Sequence, residues 1–413
     1  MRPPCIPDNP PMNTDLQIHW QENGVEHSAR WRSENGAPPP KRVVLADDTL
    51  NADAAYRLAC EGTALLWRGD FHNARQLLQA LARRVDRKPQ RKQAVGTVPK
   101  PAPSPAEAFH LHRQAQAQRA RVLGMVLMPL NADFTVPLRR APDFRAACTE
   151  AYGDAGTQGG DVASVVSLRE LSGLVGAHEW RKKGVEIPAL GGPGHNRIHP
   201  HYGVFSPVRG EYVQLVAQAP LPSKTLAFDI GVGTGVLSAV LAHRGVLRVV
   251  ATDQDPRALA CARDNLQRLG VDTQVEIVQA DLFPPEATHG RAPLIVCNPP
   301  WVPARANSPI DHAVYDPDSR MLRGFLAGLA AHLTPDGEGW LILSDLAEHL
   351  GLRPREQLLG WIAAAGLQVR GKIDVRPHHH KAADASDPLH AARAAEVTSL
   401  WRLAACTTGA APA

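Results

Sequence analysis

The tetrapeptide Asn298-Pro299-Pro300-Trp301 has the composition of a site that can react with a planar amine. Transfer of a methyl group to such an –NH2 is difficult, because the nitrogen lone pair is delocalised. The Asn298 side-chain oxygen and the Pro299 carbonyl can each accept one N–H, which directs the lone pair toward a methyl donor. The prolines fix the backbone, and the Trp301 ring offers a flat stacking face. Orientation then supplies much of the rate without a strong base.

A glycine-rich segment upstream, 229–235 (DIGVGTG), joins an apolar run to a helical one. Gly231, Gly233 and Gly235 let the backbone turn tightly and approach a ligand that faces the N-terminus of the next helix. No Lys follows the turn, which excludes a P-loop. Val236 stands where a dinucleotide fingerprint requires a small residue, so a nicotinamide site is disfavoured but stays open.

Acidic residues at the ends of the neighbouring apolar runs favour a third interpretation, a site for an adenosine-containing sulfonium compound. Asp253 ends the run after the glycine turn and can accept both ribose hydroxyls. Asp281 ends the next run and can accept the exocyclic amine of adenine, while Leu282 can cover the ring. Asp281 alone would be interpreted as a helix cap or a loop aspartate, so the interpretation depends on all of these features together.

From about residue 223 onward, short apolar runs alternate with helical ones. This alternation is typical of a parallel sheet with helices on both faces. The sequence therefore predicts an α/β, Rossmann-like fold over 201–413. Its seven strands are expected at 225–231, 248–253, 275–281, 293–298, 339–345, 369–376 and 397–404.

The first 200 residues are predicted to be mostly helical. We expect a disordered, Pro-rich tail over 1–15 and then a region over 16–88 that begins with a hairpin. The hairpin turn is placed at Asn23-Gly24, since both residues tolerate the positive φ of a tight turn. Two packed helices, over 52–67 and 71–85, are predicted to follow.

A basic, Pro-rich segment over 89–103 is interpreted as a linker. A second helical region is expected over 104–200. Its first helix opens with the capping box of Ser104 and Glu107 and runs to about residue 126. Short helices over 144–152 and 166–181 are predicted to follow it.

Composition and charge restrict the class of protein. The length of 413 residues suggests two or three domains. The hydrophobic content of 44% is enough to build a core and excludes a chain that is disordered throughout. We expect no membrane span and no secretory signal. The six cysteines form no C-x-x-C pair, which fits a reducing cytoplasm and predicts no metal site. Residues 1–200 hold 26 Lys and Arg against 20 Asp and Glu, which is compatible with a polyanion partner and equally with a solvated surface.

Two other groups of polar residues receive structural interpretations. The three histidines at 378–380 lack partner ligands at a defined spacing, so we expect an exposed loop. Asp316, Asp318 and Arg320 follow the Asn-Pro-Pro-Trp segment and are expected to form salt bridges at the start of a helix, with a lid over the site as the alternative.

With these residues identified, the segment 204–405 resembles class I S-adenosylmethionine-dependent methyltransferases with an N-P-P-[YFW] motif. DIGVGTG, ATDQDPRALACARDN, ADLF and VCNPPW match the successive motifs of those families in order. The resemblance is strongest to the protein-(glutamine-N5) methyltransferases of release factors and ribosomal protein. The segment is next most similar to the guanine-N2 and adenine-N6 RNA methyltransferases.

The resemblance implies S-adenosyl-L-methionine as the cofactor, a methyltransferase sheet whose last strand is antiparallel, and a helical front region that recognises the acceptor. It implies that Asn298, Pro299, Pro300 and Trp301 are catalytic. The residues that it assigns to the cofactor are Asp229, Gly231, Gly233, Thr234, Gly235, Asp253, Asp281, Leu282 and Asn298.

Residues 202–216 (YGVFSPVRGEYVQLV) lie where the glutamine enzymes carry a P-R-x-[DE]-T-E stretch. This chain keeps Arg209 and Glu211, which with Trp301 are the expected substrate-binding residues, but the proline is shifted and the threonine is absent. The GVFS segment instead resembles guanine-N2 rRNA enzymes. We therefore interpret the acceptor as a glutamine amide of a release factor or ribosomal protein, with an RNA base as the alternative. A non-catalytic cofactor- or RNA-binding scaffold is the alternative from another class.

Overall fold

The computed structural model describes residues 16–87, 102–155, 163–192, 194–306, 309–377 and 384–406. The predicted tail at 1–15, most of the predicted linker and the histidines at 378–380 lie outside these residues. The chain divides into two compact units. One comprises Met1–Val98 with Ala115–His178, and the other comprises Pro99–Gln114 with Glu179–Ala413.

A six-stranded sheet forms the centre of the first unit. Its strands follow the order β1-β2-β6-β5-β4-β3. They are β1 (Gln17–Glu22), β2 (Val25–Arg32), β3 (Arg42–Ala46), β4 (Thr63–Trp67), β5 (Val126–Leu130) and β6 (Ser164–Ser167). The helices in this part of the chain are α1 (Ala52–Cys60), α2 (Phe71–Val85), α3 (Pro105–Leu123), α4 (Arg145–Tyr152) and α5 (Leu168–Lys183).

The hairpin predicted near the start is confirmed. Strands β1 and β2 pair in antiparallel fashion, with Glu22 opposite Val25. Asn23 and Gly24 connect them with φ values of 52° and 76°, as a two-residue turn of this kind requires.

The prediction of a mostly helical front region needs a correction, because a sheet lies among its helices. The helix predicted over 52–67 ends at Cys60, and Gly62, with φ of 80°, leads the chain into β4. All five residues of β4 are buried. Such a strand shows no alternation of polar and apolar residues, and its pattern is therefore easily taken for a continued helix.

The second unit contains the predicted seven-stranded sheet, in the order β11-β10-β9-β12-β13-β15-β14. Strands β9 to β13 pair in parallel, and β15 is antiparallel to both of its neighbours. The Rossmann-like fold with an antiparallel last strand is thus confirmed. The strands are β9 (Leu226–Ile230), β10 (Arg248–Asp253), β11 (Val275–Gln279), β12 (Ala292–Cys297), β13 (Leu333–Ser344), β14 (Leu367–Val375) and β15 (Thr398–Ala405).

Helices cover both faces of this sheet. Along β9 the side chains alternate between two hydrophobic cores, one on each face of the sheet. Ala227 belongs to the first core and Phe228 to the second. The helices are α6 (Gly210–Gln218), α7 (Val236–His243), α8 (Pro256–Arg268), α9 (Glu286–His289), α10 (Arg320–His332), α11 (Leu346–His349), α12 (Arg355–Ala364) and α13 (His390–Ala395). A small hairpin of β7 (Val185–Glu186) and β8 (Arg197–Ile198) precedes them.

The division between the two units falls after His178, whereas the sequence predicts a region boundary at 200. Helix α5 continues through this point, so no change in composition marks it. Within the described residues, no helix has both the length and the apolar character needed to cross a membrane.

Tight packing of α10 on β13 gives a stability prediction. A Cβ at the buried Gly339 would overlap three carbons of the Leu329 side chain, which is itself fully buried. Gly339→Ala should therefore lower the free energy of unfolding by about 1–3 kcal/mol in urea titrations. Gly360→Ala is the matched control, because a Cβ on this exposed helical glycine meets nothing. It should raise stability by roughly 0.5–1 kcal/mol. Equal effects of the two changes would contradict the packing.

Candidate active site

A cavity of about 560 Å³ opens at the carboxyl edge of the seven-stranded sheet. The strand order reverses between β9 and β12 at this edge, which is where doubly wound sheets bind ligands. The cavity brings together most of the residues predicted from the sequence, whereas Asp229, Gly235 and Glu211 do not line it. The predicted residues in its wall are Arg209, Gly231, Gly233, Thr234, Asp253, Asp281, Leu282, Asn298, Pro299, Pro300 and Trp301.

The glycine turn after β9 is held against β10. The backbone N–H groups of Gly231 and Val232 both donate to the Thr252 carbonyl, at 2.9 and 2.8 Å. Gly233 has φ of 52° and donates its N–H to Asp253 Oδ2 at 3.1 Å. A Cβ at Gly233 would have no atom within 4 Å, so the backbone here faces open space. At Gly235 a Cβ would lie 3.3 Å from the Ala262 backbone, which explains the third glycine by helix packing.

Two carboxylates near this turn are buried in different ways. Asp229 is 1% exposed and accepts a hydrogen bond from Ser238 Oγ at 2.6 Å. Burial, with a smaller contribution from the charge of Asp253, raises the pKa of Asp229 to about 7. Asp253 accepts the N–H groups of Gly233 and Asp255, and burial raises its pKa as well.

The predicted adenine end of the cavity contains a strained backbone. Leu282 has φ of 74°, a conformation that leucine adopts rarely. Its carbonyl accepts the Thr252 hydroxyl, and a Cβ at Gly324 would lie 2.6 Å from Leu282 Cδ1. Asp281 is exposed and forms an ion pair with Arg320 at 2.9 Å. The sequence did not indicate Gly324 as the neighbour that gives Leu282 its space.

Asn298 and Trp301 contact each other directly at the opposite side of the cavity. The indole Nε1–H of Trp301 donates to Asn298 Oδ1 at 2.9 Å. The guanidinium of Arg209 lies 4.9 Å from the centroid of the Trp301 ring. Arg353 donates to the Trp301 carbonyl at 3.2 Å. Trp301 is half-buried and lines the cavity, so its ring is accessible from the site.

Arg209 bridges two carboxylates, one of which sequence reasoning missed. It pairs with Glu211 at 2.7 Å and with Glu396 at 3.0 Å. The Glu396 side chain is 1% exposed and also accepts the Ser344 hydroxyl at 2.6 Å. No local motif surrounds Glu396. Its position just before an antiparallel last strand is the one available signal, because that strand begins at the carboxyl edge of the sheet.

The acidic segment after the tetrapeptide caps a helix. Asp316 is buried and accepts the backbone N–H groups of Met321 and Leu322 at 2.9 and 3.3 Å. Arg320 makes the ion pair with Asp281 already described. These contacts agree with the interpretation of this segment as the start of a helix. Among the residues that the structure describes, no group of three His, Cys, Asp or Glu side chains is placed to hold a metal ion.

Residues 195–355 match the methyltransferase small domain family. The release factor glutamine methyltransferase of Cereibacter sphaeroides is 33% identical over 170 residues, which cover 40% of this chain and 57% of that protein. The tRNA1(Val) (adenine(37)-N6)-methyltransferase of Shewanella loihica is 28% identical over 183 residues, covering 43% of this chain and 72% of that protein.

A third relative, the ribosomal protein L11 methyltransferase of Pelotomaculum thermopropionicum, is 45% identical over 71 residues, or 17% of this chain and 22% of that protein. The chain spans about half the length of the release factor glutamine methyltransferases that it matches.

The raised pKa of Asp229 predicts how stability depends on pH. The folded protein keeps a proton on this carboxyl up to about pH 7, whereas the unfolded chain releases it near 3.8. The folded state therefore binds more protons in this window, and this contribution to stability is lost as the pH rises through it. In the wild-type protein this group makes the unfolding free energy fall as the pH rises. Asp229→Asn should reduce the slope of that fall by up to about 1.4 kcal/mol per pH unit, measured by urea titrations between pH 4.5 and 8. Parallel curves for the two proteins would contradict this assignment.

The order of the motifs, the topology of the sheet and the family match therefore agree. The resemblance to S-adenosylmethionine-dependent methyltransferases with an N-P-P-[YFW] motif is confirmed, and it lies in the second unit, where residues 195–355 match the methyltransferase small domain family.

Proposed function

We propose that this protein is an S-adenosylmethionine-dependent N-methyltransferase whose acceptor is the side-chain amide of a glutamine in a translation protein. One observation carries the proposal: the open backbone at Gly233 and the acceptor pair of Asn298 and Pro299 line the same cavity. A methyl donor and a planar –NH2 bound at these two places lie within one cavity, as group transfer requires.

The residues present fit the cofactor. Gly233 leaves space beside its backbone, and Asp253 presents carboxylate oxygens to the wall for the ribose hydroxyls. Leu282 supplies an apolar surface for the adenine, and the wall near the turn holds carboxylates that suit a cation. A dinucleotide would instead place two negatively charged phosphates next to the partly buried carboxylate of Asp253, and the repulsion between these charges would disfavour its binding. The bound cofactor supplies a methyl group on a positively charged sulfur.

Asn298 and Pro299 bind and orient the acceptor. The Asn298 oxygen and the Pro299 carbonyl accept the two N–H groups of the amide, which fixes the nitrogen with its lone pair toward the cofactor side of the cavity. Trp301 covers the planar group on one side. These residues act by orientation, and the step needs no strong base in contact with the nitrogen.

The charges in the wall favour a neutral amide over a nucleotide. Among the residues that the structure describes, two arginines and no lysine line the cavity. Both of them, Arg209 and Arg320, are already paired with carboxylates. RNA is bound largely through contacts of cations with phosphates. Two exposed apolar side chains also lie on segments that line the cavity, Val208 at 57% and Ile310 at 48% exposure, and they suit a peptide.

An RNA base remains the second candidate, since the tRNA adenine-N6 methyltransferase of Shewanella loihica matches the same region and the first 200 residues have an excess of basic side chains. Either acceptor belongs to the translation machinery, so we expect the protein to act in the cytoplasm.

The transfer is tested with a methyl-labelled cofactor and a cell extract. Label that resists nuclease and is released by protease identifies a protein acceptor, and the reverse result identifies RNA. Asn298→Ala should reduce incorporation at least 100-fold, because the amide loses one of its two acceptors. Calorimetry should show that cofactor binding survives, with a loss of affinity far smaller than the loss of incorporation, which also reports that the variant is folded. Near wild-type turnover of Asn298→Ala would refute the role of Asn298.

Cofactor binding is tested separately at Asp253. Asp253→Ala should weaken the affinity for S-adenosylmethionine at least tenfold, because two ribose hydroxyls lose a charged acceptor. The matched control, Asp272→Ala, removes an exposed carboxylate that does not line the cavity and should leave the affinity unchanged. A thermal shift with NADH larger than the shift with S-adenosylmethionine would favour an oxidoreductase instead.

A further inference from the structure

We propose that Trp301, Arg209 and Glu396 are positioning residues that hold the Asn298 amide in the orientation needed to accept the substrate N–H. The proposal deepens the proposed function and rests on it, because the orientation of Asn298 matters only if its oxygen binds the acceptor. Glu396 does not line the cavity and acts through the other two residues.

The first step is the hydrogen bond between Trp301 and Asn298. An indole N–H is a donor only, whereas an amide oxygen has two lone pairs. The 2.9 Å bond from Trp301 Nε1 therefore occupies one lone pair of Asn298 Oδ1 and leaves the other for the substrate. A flipped amide would place its –NH2 against the indole N–H and lose this bond. A phenylalanine at position 301 would present no donor, so this control over Asn298 depends on tryptophan.

The second step is the fixation of Trp301 itself. The Arg209 guanidinium lies 4.9 Å from the ring centroid, within the range of a cation–π contact. Arg353 donates to the Trp301 carbonyl at 3.2 Å. The ring also packs at the border of three apolar clusters of the second unit. Both the backbone and the ring of Trp301 are thus held.

The third step is the fixation of Arg209. Glu211 and Glu396 pair with it at 2.7 and 3.0 Å, and Glu396 is almost completely removed from solvent. A buried carboxylate without a cationic partner is strongly unfavourable. If Arg209 moved away from the ring of Trp301, Glu396 would therefore remain buried without a cationic partner, which is unfavourable. The ion pairs behind the cavity fix the guanidinium, the guanidinium fixes the indole, and the indole fixes the amide.

Turnover measurements test the chain of contacts. Trp301→Phe keeps an aromatic ring but removes the donor, and it should lower kcat about tenfold while cofactor affinity stays unchanged. Glu396→Gln should lower kcat severalfold. The double variant should be no slower than Trp301→Phe alone, because Glu396 acts through Trp301. Wild-type kcat in Trp301→Phe, or losses that simply multiply in the double variant, would overturn the proposal.

Matched controls separate positioning from general destabilisation. Trp361→Phe changes a tryptophan that also lies near an arginine, with Arg323 at 5.6 Å from its ring, but that does not line the cavity. It should keep the wild-type kcat. Glu338→Gln breaks another buried ion pair of the same sheet, with Arg402, and reports how far such a loss lowers kcat by destabilisation alone.

A second readout does not require activity. The indole 15N–H signal of Trp301 is assigned by its disappearance in Trp301→Phe. It should shift and exchange faster with solvent in Asn298→Ala, and to a smaller extent in Glu396→Gln. If the wild-type protein transfers no methyl group to any acceptor, the proposed function fails, whereas this signal still decides the contacts. A Trp301 signal that is unaffected by Asn298→Ala overturns the positioning proposal whatever the activity.

Discussion

Strand β9 pairs in parallel with β10 on one side and with β12 on the other, and the candidate site depends on this arrangement. The chain continues from β9 to one side of the sheet and returns to its other side at β12, which opens a crevice between the loops that follow them. The glycine turn and Asn298 border this crevice from opposite sides. A shift of one residue in the pairing of β9 with β10 would move side chains to the other face of the sheet and separate Asp253 from Gly233.

Carboxyl groups lie in the wall of the cavity and behind it although burial disfavours their charged form, and each has different partners. Asp229 accepts a hydroxyl, Asp253 accepts two backbone N–H groups, and Glu396 pairs with Arg209. Arg209 in turn faces two carboxylates. Of these three acids, Asp253 is the one that lines the cavity, and its carboxylate favours a cationic ligand near the glycine turn. This arrangement agrees with the proposed pairing of a sulfonium donor with a neutral amide acceptor.

The front of the chain shows where prediction from sequence fails. The hairpin was predicted correctly, because Asn23-Gly24 specifies its turn locally. Strand β4 has the sequence pattern of a continued helix, since it is buried throughout and follows α1 after only two residues. Strand β6 has four residues, too few for a recognisable period. Short buried strands are defined by their neighbours in the sheet, which lie far away in the sequence.

The seven strands of the second unit, the glycine turn and the order of the residues that meet in the cavity follow from the amino-acid sequence alone. These features are encoded within runs of five to ten residues, where hydrophobic period and turn chemistry act directly. The side chains that support these features become evident from the folded structure. Arg209 and Glu396 are 187 residues apart in the chain, and Leu282 adopts its left-handed backbone next to a glycine of α10. Such contacts arise when the antiparallel β15 and helix α10 are packed against the sheet, because packing joins segments that no local pattern connects.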